Sequence, residues 1–186
     1  MRRIQLPLTN DVAADLRAGD SVHLSGVIYT ARDAAHALIC ELIDRGEKPP
    51  FDLENATIYY AGPAPTPPGR AIGSIGPTTS YRMDAYAPRL IQLGLHGMIG
   101  KGERSDEVCE AIREHGAVYF AAIGGAGALL AQSVKSAEVV AFPELGAEAV
   151  RRLEVEDFPA IVAIDRFGGN IYEDGRCEFL KSTGTS

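Results

Sequence analysis

The stretch SVHLSGVIYTARDAAHALICELIDR, residues 21–45, changes its hydrophobic period half-way. Up to Thr30 it carries Val22, Leu24, Val27 and Ile28 among polar residues, which reads as a strand. From about Ala31 to Arg45, the residues Ala34, Ala35, Leu38, Ile39, Leu42 and Ile43 recur at i, i+1, i+4 and i+5, the buried face of a helix. Gly46 supplies a stop, and Pro49-Pro50 forbids continuation. A strand feeding straight into a helix is the building unit of α/β folds, and the rest of the chain is expected to follow it.

Working outward, Arg2 to Leu8 alternates and reads as a short strand, and Thr57 to Ala61 as another. The segment GPAPTPPG, Gly62 to Gly69, is a rigid connection biased to extended conformations. Ala71 to Ile75 reads as a strand, and Gly76 to Ser80 as a turn into a helix over Arg82–Leu93. A strand over Leu95–Ile99, a loop at Gly100-Lys101-Gly102, a helix over Ser105–His115 and a strand over Ala117–Ile123 follow. Gly124 to Gln132 reads as a glycine turn and a short helix, Ala137–Phe142 as a strand and Gly146–Leu153 as a short helix. Pro159–Asp165 is expected to pair with Ile171-Tyr172 in a hairpin through Gly168-Gly169-Asn170. Strands alternate with helices in the middle and pair locally at the ends, a mixed α/β pattern with no internal repeat.

The chain has 186 residues, with 18 Lys plus Arg against 25 Asp plus Glu, a net charge of −7, and is 46% hydrophobic. That length fits one domain, residues 1–186, with a core that needs no disulfides. The acidic balance and the lack of any basic run argue against nucleic acid or an anionic membrane, because phosphate binding needs a basic field. The N-terminus MRRIQLPLTNDVAADL reaches Asn10 and Asp11 without an apolar segment, so no signal peptide is expected. The longest uncharged run, Gly116–Val134, is broken by Gly124-Gly125 and reads as strand, turn and helix in a core rather than a membrane span. Cys40, Cys109 and Cys177 are odd in number and widely spaced, which offers neither a disulfide framework nor metal-ligand spacing. Cys40 and Cys109 read as buried structural thiols, and a reducing, cytoplasmic compartment is expected.

Four stretches could carry chemistry. In Thr30-Ala31-Arg32-Asp33-Ala34-Ala35-His36, Thr30 can cap the helix, and Arg32 sits in a first turn where the macrodipole disfavours a cation. Such a conflict, beside free N–H groups, suits a carboxylate or phosphate receptor; the plain alternative is an ion pair with Asp33 or a surface acid. In Gly76-Pro77-Thr78-Thr79-Ser80-Tyr81-Arg82-Met83-Asp84, three hydroxyls and Arg82 meet at a helix start, a second anion grip or an ordinary cap. Lys101 between two glycines can approach a ligand closely or be a mobile surface lysine; no P-loop pattern surrounds it. Gly124-Gly125-Ala126-Gly127 is a broken dinucleotide fingerprint better explained by tight packing. The four histidines make no metal motif, and no GxSxG elbow exists. These are anion-grasping groups without a strong nucleophile or metal of their own, the appearance of half an active site.

From about Gln5 to Tyr172 the chain resembles the class I, iron–sulfur fumarate hydratase and L(+)-tartrate dehydratase family, specifically its β subunit or the C-terminal domain of its single-chain members. The resemblance rests on the Thr30–His36 and Gly76–Asp84 stretches, Lys101-Gly102, Gly124-Gly125, Phe142-Pro143-Glu144-Leu145-Gly146 and Asp157-Phe158-Pro159-Ala160. It implies an α/β, swivelling β/β/α domain with a mixed sheet and flanking helices, with 173–186 as a flexible tail. It implies a hydro-lyase of the tricarboxylic acid cycle type that reversibly hydrates fumarate to malate. The implied cofactor is a 4Fe-4S cluster held by a partner α subunit, in a heterotetramer of two α and two β subunits, so no metal ligand is assigned here. By the same resemblance Arg32 and Arg82 bind substrate carboxylates, Lys101 lies near the substrate and Thr78 takes part in proton transfer at carbon. A tartrate dehydratase β subunit and a non-catalytic anion-binding regulatory module remain the alternatives.

Overall fold

Val22, Leu24 and Ile28 are fully buried, and they alternate with more exposed neighbours along a strand that runs from Ser21 to Thr30. This computed structural model describes residues 1–122 and 127–175. In chain order its elements are β1 (Arg2–Gln5), α1 (Asn10–Ala14), β2 (Ser21–Thr30), α2 (Asp33–Asp44), β3 (Thr57–Tyr59), α3 (Ala87–Gln92), β4 (Gly97–Gly100), α4 (Asp106–His115), β5 (Val118–Ala122), α5 (Gly127–Gln132), β6 (Val134–Ala141) and β7 (Val150–Ile164). Two 3₁₀ segments, Ser80–Met83 and Pro143–Glu148, lie between them.

The strands form one mixed sheet in the order β1-β2-β3-β4-β5-β7-β6. β1 to β5 run parallel; β7 is antiparallel to β2, β5 and β6. Ala160 of β7 is opposite Val22 on one edge and Ala122 on the other, so β2, β3, β4, β5 and β7 close on themselves. Strand alternation then gives two cores. Leu24, Tyr59, Ile99, Phe120, Phe158 and Val162 form the cluster shared by the ring strands. Ile58, Tyr60, Met98 and Tyr119, one residue out of phase, pack with Ala35 and Ile39 of α2, Leu90 and Ile91 of α3, and Val108 and Ile112 of α4. The architecture is mixed α/β with a mixed sheet and flanking helices.

Several expected elements differ. Ala71–Ile75 is not a strand: both edges of β3 are taken, and the segment instead bonds singly through Ser74 to Ala64 and Ile75 to Gly127. The helix expected over Arg82–Leu93 is a 3₁₀ turn followed by α3, because Pro88 has no N–H and fits only a helix's first turn. Gly146–Leu153 is not a helix. A 3₁₀ turn ends at Glu148, and Val150–Leu153 enter β7, where pairing on both edges outweighs helical spacing. Residues 171–175 are helical, and the hairpin shrinks to one bridge between Ile164 and Asn170. α1 was not expected, and β6 starts three residues early. Thr30 does not cap α2; it ends β2, and its Oγ1 accepts from Arg151 N at 3.1 Å. Arg32 itself is the residue preceding the helix. Cys40 and Cys109 are free and only half-buried, with burial raising both thiol pKa values. Gly124-Gly125, Cys177 and most of the 173–186 tail lie outside the described residues.

Candidate functional site

In a parallel sheet, ligand groups gather beyond the carboxyl ends of the strands, where each chain turns away. Arg32 follows β2, and Ala31 N–H donates to Tyr59 O at the end of β3 (3.1 Å). Thr78 hangs from the same end: its N–H donates to Tyr60 O at 2.6 Å. Lys101 follows β4, bridges to Thr79 and accepts from Ser80 N at 2.9 Å through its carbonyl. Arg32, Thr78 and Lys101 therefore attach to three consecutive strand ends, and Arg82 follows in the 3₁₀ turn beside Thr78. Neighbouring strands are about 4.8 Å apart, so these ends span a small-molecule distance. Thr78 is half-buried; Arg82 and Lys101 are exposed.

The segment carrying Thr78 and Arg82 is fixed from below. Lys101 N–H donates to Ser80 Oγ (3.1 Å), Ser80 Oγ lies 2.8 Å from Tyr119 Oη, and Tyr119 Oη donates to Gly102 O (2.9 Å). A side chain at position 100 would collide with Ser80 Oγ and come within 2.9 Å of the Tyr60 ring, so glycine there lets the segment cross β4. Beneath it lies a group that sequence reasoning missed. The Arg104 side chain is wholly buried and donates to Asp84 Oδ1 (2.7 Å) and Tyr60 Oη (3.2 Å). Asp84 Oδ2 also accepts from Ser105 N (2.6 Å), which ties the 3₁₀ turn to the start of α4. Burial opposes the Arg104 charge, but Tyr60, Asp84 and Tyr119 outweigh it and raise its pKa. In GERSDE it reads as one surface charge among several, and only Asp84 lay in a stretch already singled out.

His36 is fully buried, and its Nδ1 lies 2.8 Å from Arg32 O. Burial lowers its pKa to about 4, so the ring is neutral and Nδ1–H donates. Arg32 Nε lies 3.1 Å from Glu148 Oε1 and 3.8 Å from Asp33 Oδ1. The ion pair expected from the plain reading is thus present, alongside the placement at the strand ends. Among the described residues no group of three or more His, Cys, Asp or Glu could hold a metal ion. Those residues do not fit an iron–sulfur cluster. Among the described residues no helix is long and apolar enough to cross a membrane.

Residues 1–175 match the family model described as Fumarase C-terminus. The chain belongs to this family. Members with similar sequences include "Fumarate hydratase class I, aerobic" of Escherichia coli strain K12, 49% identical over 152 residues, which are 81% of this chain and 28% of that protein. "Fumarate hydratase 2" of Leishmania major is 48% identical over 157 residues, 83% of this chain and 28% of its own length. "Putative L(+)-tartrate dehydratase subunit beta" of Methanocaldococcus jannaschii is 46% identical over 173 residues, 90% of this chain and 89% of its own length. The chain thus spans about a quarter to a third of the fumarate hydratases it matches and nearly all of the tartrate dehydratase subunit.

Proposed function

We propose that this chain is one domain serving as the β subunit of a hydro-lyase, completed by a separate iron–sulfur α subunit that holds the 4Fe-4S cluster. The observation that carries the reading is the attachment of Arg32, Thr78 and Lys101, with Arg82 alongside, to consecutive strand ends of one sheet edge. The reaction adds hydroxide to one carbon of a dicarboxylate alkene and a proton to the other, converting fumarate to malate. A dianion calls for two cations, and each charge-assisted contact is worth about 1.5–3 kcal/mol. Arg32 and Arg82 take the two carboxylates. Charge builds on the carboxylate next to the carbon that gains or loses the proton, and Lys101 answers it. Thr78 carries that proton, its hydroxyl made more acidic by the neighbouring cation.

Exposure of Arg82, Lys101 and Tyr81 (65% exposed) supports a face left for the partner's half of the site. The free thiols Cys40 and Cys109 suit a cytoplasmic enzyme. A second substrate is favoured by one finding: the relative matched over nearly its whole length carries the name of a tartrate dehydratase subunit. Anaerobic purification of the native protein tests the proposal. The expected result is a brown complex of two α and two β chains that hydrates fumarate. Activity on L(+)-tartrate alone moves the substrate assignment, and a colourless, partnerless protein inert to both contradicts the enzyme reading in favour of an anion-binding module.

A further inference from the structure

The Phe142–Gly146 stretch has no part in the proposed chemistry, yet it builds an unusual turn against Arg32. Phe142 has φ +53° and Gly146 φ +61°, both left-handed, the first just before and the second within the 3₁₀ segment Pro143–Glu148. Arg151 clamps the end of that turn, donating to Gly146 O (3.0 Å), Ala147 O (3.1 Å) and Ala149 O (3.1 Å). Its backbone N–H is bound by Thr30 Oγ1, two residues before Arg32, so the turn and Arg32 share one anchor. Gly62 admits the turn: a Cβ there would lie 2.7 Å from Ala147 O and 3.5 Å from Arg32 Cδ. The product of this construction is Glu148, 29% exposed, with Oε1 3.1 Å from Arg32 Nε.

The contact has a direction. Nε is buried and makes no hydrogen bond, so Glu148 attracts it without saturating it. Among the described residues Arg32 Nη1 and Nη2 have no hydrogen-bond partner. A guanidinium held from its Nε side presents its paired Nη groups outward, the geometry that grips a carboxylate with two parallel bonds. We infer that Glu148 is a positioning residue, which orients Arg32 so that its Nη edge faces the substrate carboxylate; this rests on the substrate role proposed for Arg32.

The test is a cycle of Arg32→Ala, Glu148→Ala and the double variant in the complete enzyme, reading KM, kcat and competitive inhibition by succinate, a saturated dicarboxylate. Glu148→Ala is expected to raise KM and the inhibition constant about tenfold, with a smaller loss of kcat, and to add nothing once Arg32 is gone. Glu148→Gln, which keeps the acceptor oxygen, should fall between. Equal losses in both backgrounds, no loss, or a lower KM from removing a competitor of the substrate would each overturn it. If Glu148→Ala does not assemble, Gly62→Ala displaces the same turn and should raise KM in the same Arg32-dependent way. Unchanged activity in Arg32→Ala would contradict the proposed function itself, whereas a large Arg32 effect without coupling contradicts only the role of Glu148.

Discussion

Asp84 and Arg104 are twenty residues apart, and their pairing holds the turn that carries Thr78 and Arg82. A buried guanidinium that loses its carboxylate leaves an uncompensated charge, which costs about 3–5 kcal/mol. Asp84→Ala is therefore expected to lower the thermal unfolding midpoint by about 6 °C or more and to impair activity with it. An unchanged midpoint would show the pair to be dispensable. At this scale the sequence exposed part of the candidate site. Arg32 was visible because a cation at a helix start opposes the dipole. Arg104 was not, because nothing in its neighbours distinguishes a buried arginine from a surface one. Thr30 was misread for a related reason: its hydroxyl had a local use as a cap, and a distant strand, β7, claimed it first.

At the scale of elements, α2 packs on the sheet through His36, which lies edge-on to Tyr60 with ring centroids 5.4 Å apart. Its pKa of about 4 lies below the unfolded value of 6.5. Above 6.5 both states are neutral and stability is unaffected. As pH falls from 6.5 towards 4 the unfolded chain takes up a proton that the folded chain refuses, so stability is lost at about 1.4 kcal/mol per pH unit. Urea unfolding across this range should show the wild-type advantage over His36→Asn shrinking; a constant difference would contradict it. Elements set by period or punctuation were legible: β2, α2, and α4 with its Ser105 cap accepting from Val108 N. Those decided by pairing were not. Val150–Leu153 carry apolar residues at helical spacing, and only the edges of β2 and β6 make them a strand. The break before Pro88 follows from its missing N–H, which fits only a helix's first turn.

For the whole molecule, the class of mixed α/β followed from strand and helix alternation, while closure of the ring did not. Closure depends on Ala160 meeting two strands at once, and periodicity within one strand says nothing of its edges. The ring fixes the relative places of the strand ends, so cations far apart in sequence serve one edge of a chain whose net charge is −7. Under the proposed function, local placement rather than overall charge suits that edge to a dianion. The most direct measurement is steady-state hydration by the complete enzyme carrying Arg32→Ala or Arg82→Ala. Each substitution is predicted to lower kcat/KM by about 30- to 150-fold, since about two to three kcal/mol of charge-assisted binding is lost, while the complex still assembles with its partner. Undiminished kcat/KM in both variants would contradict the account.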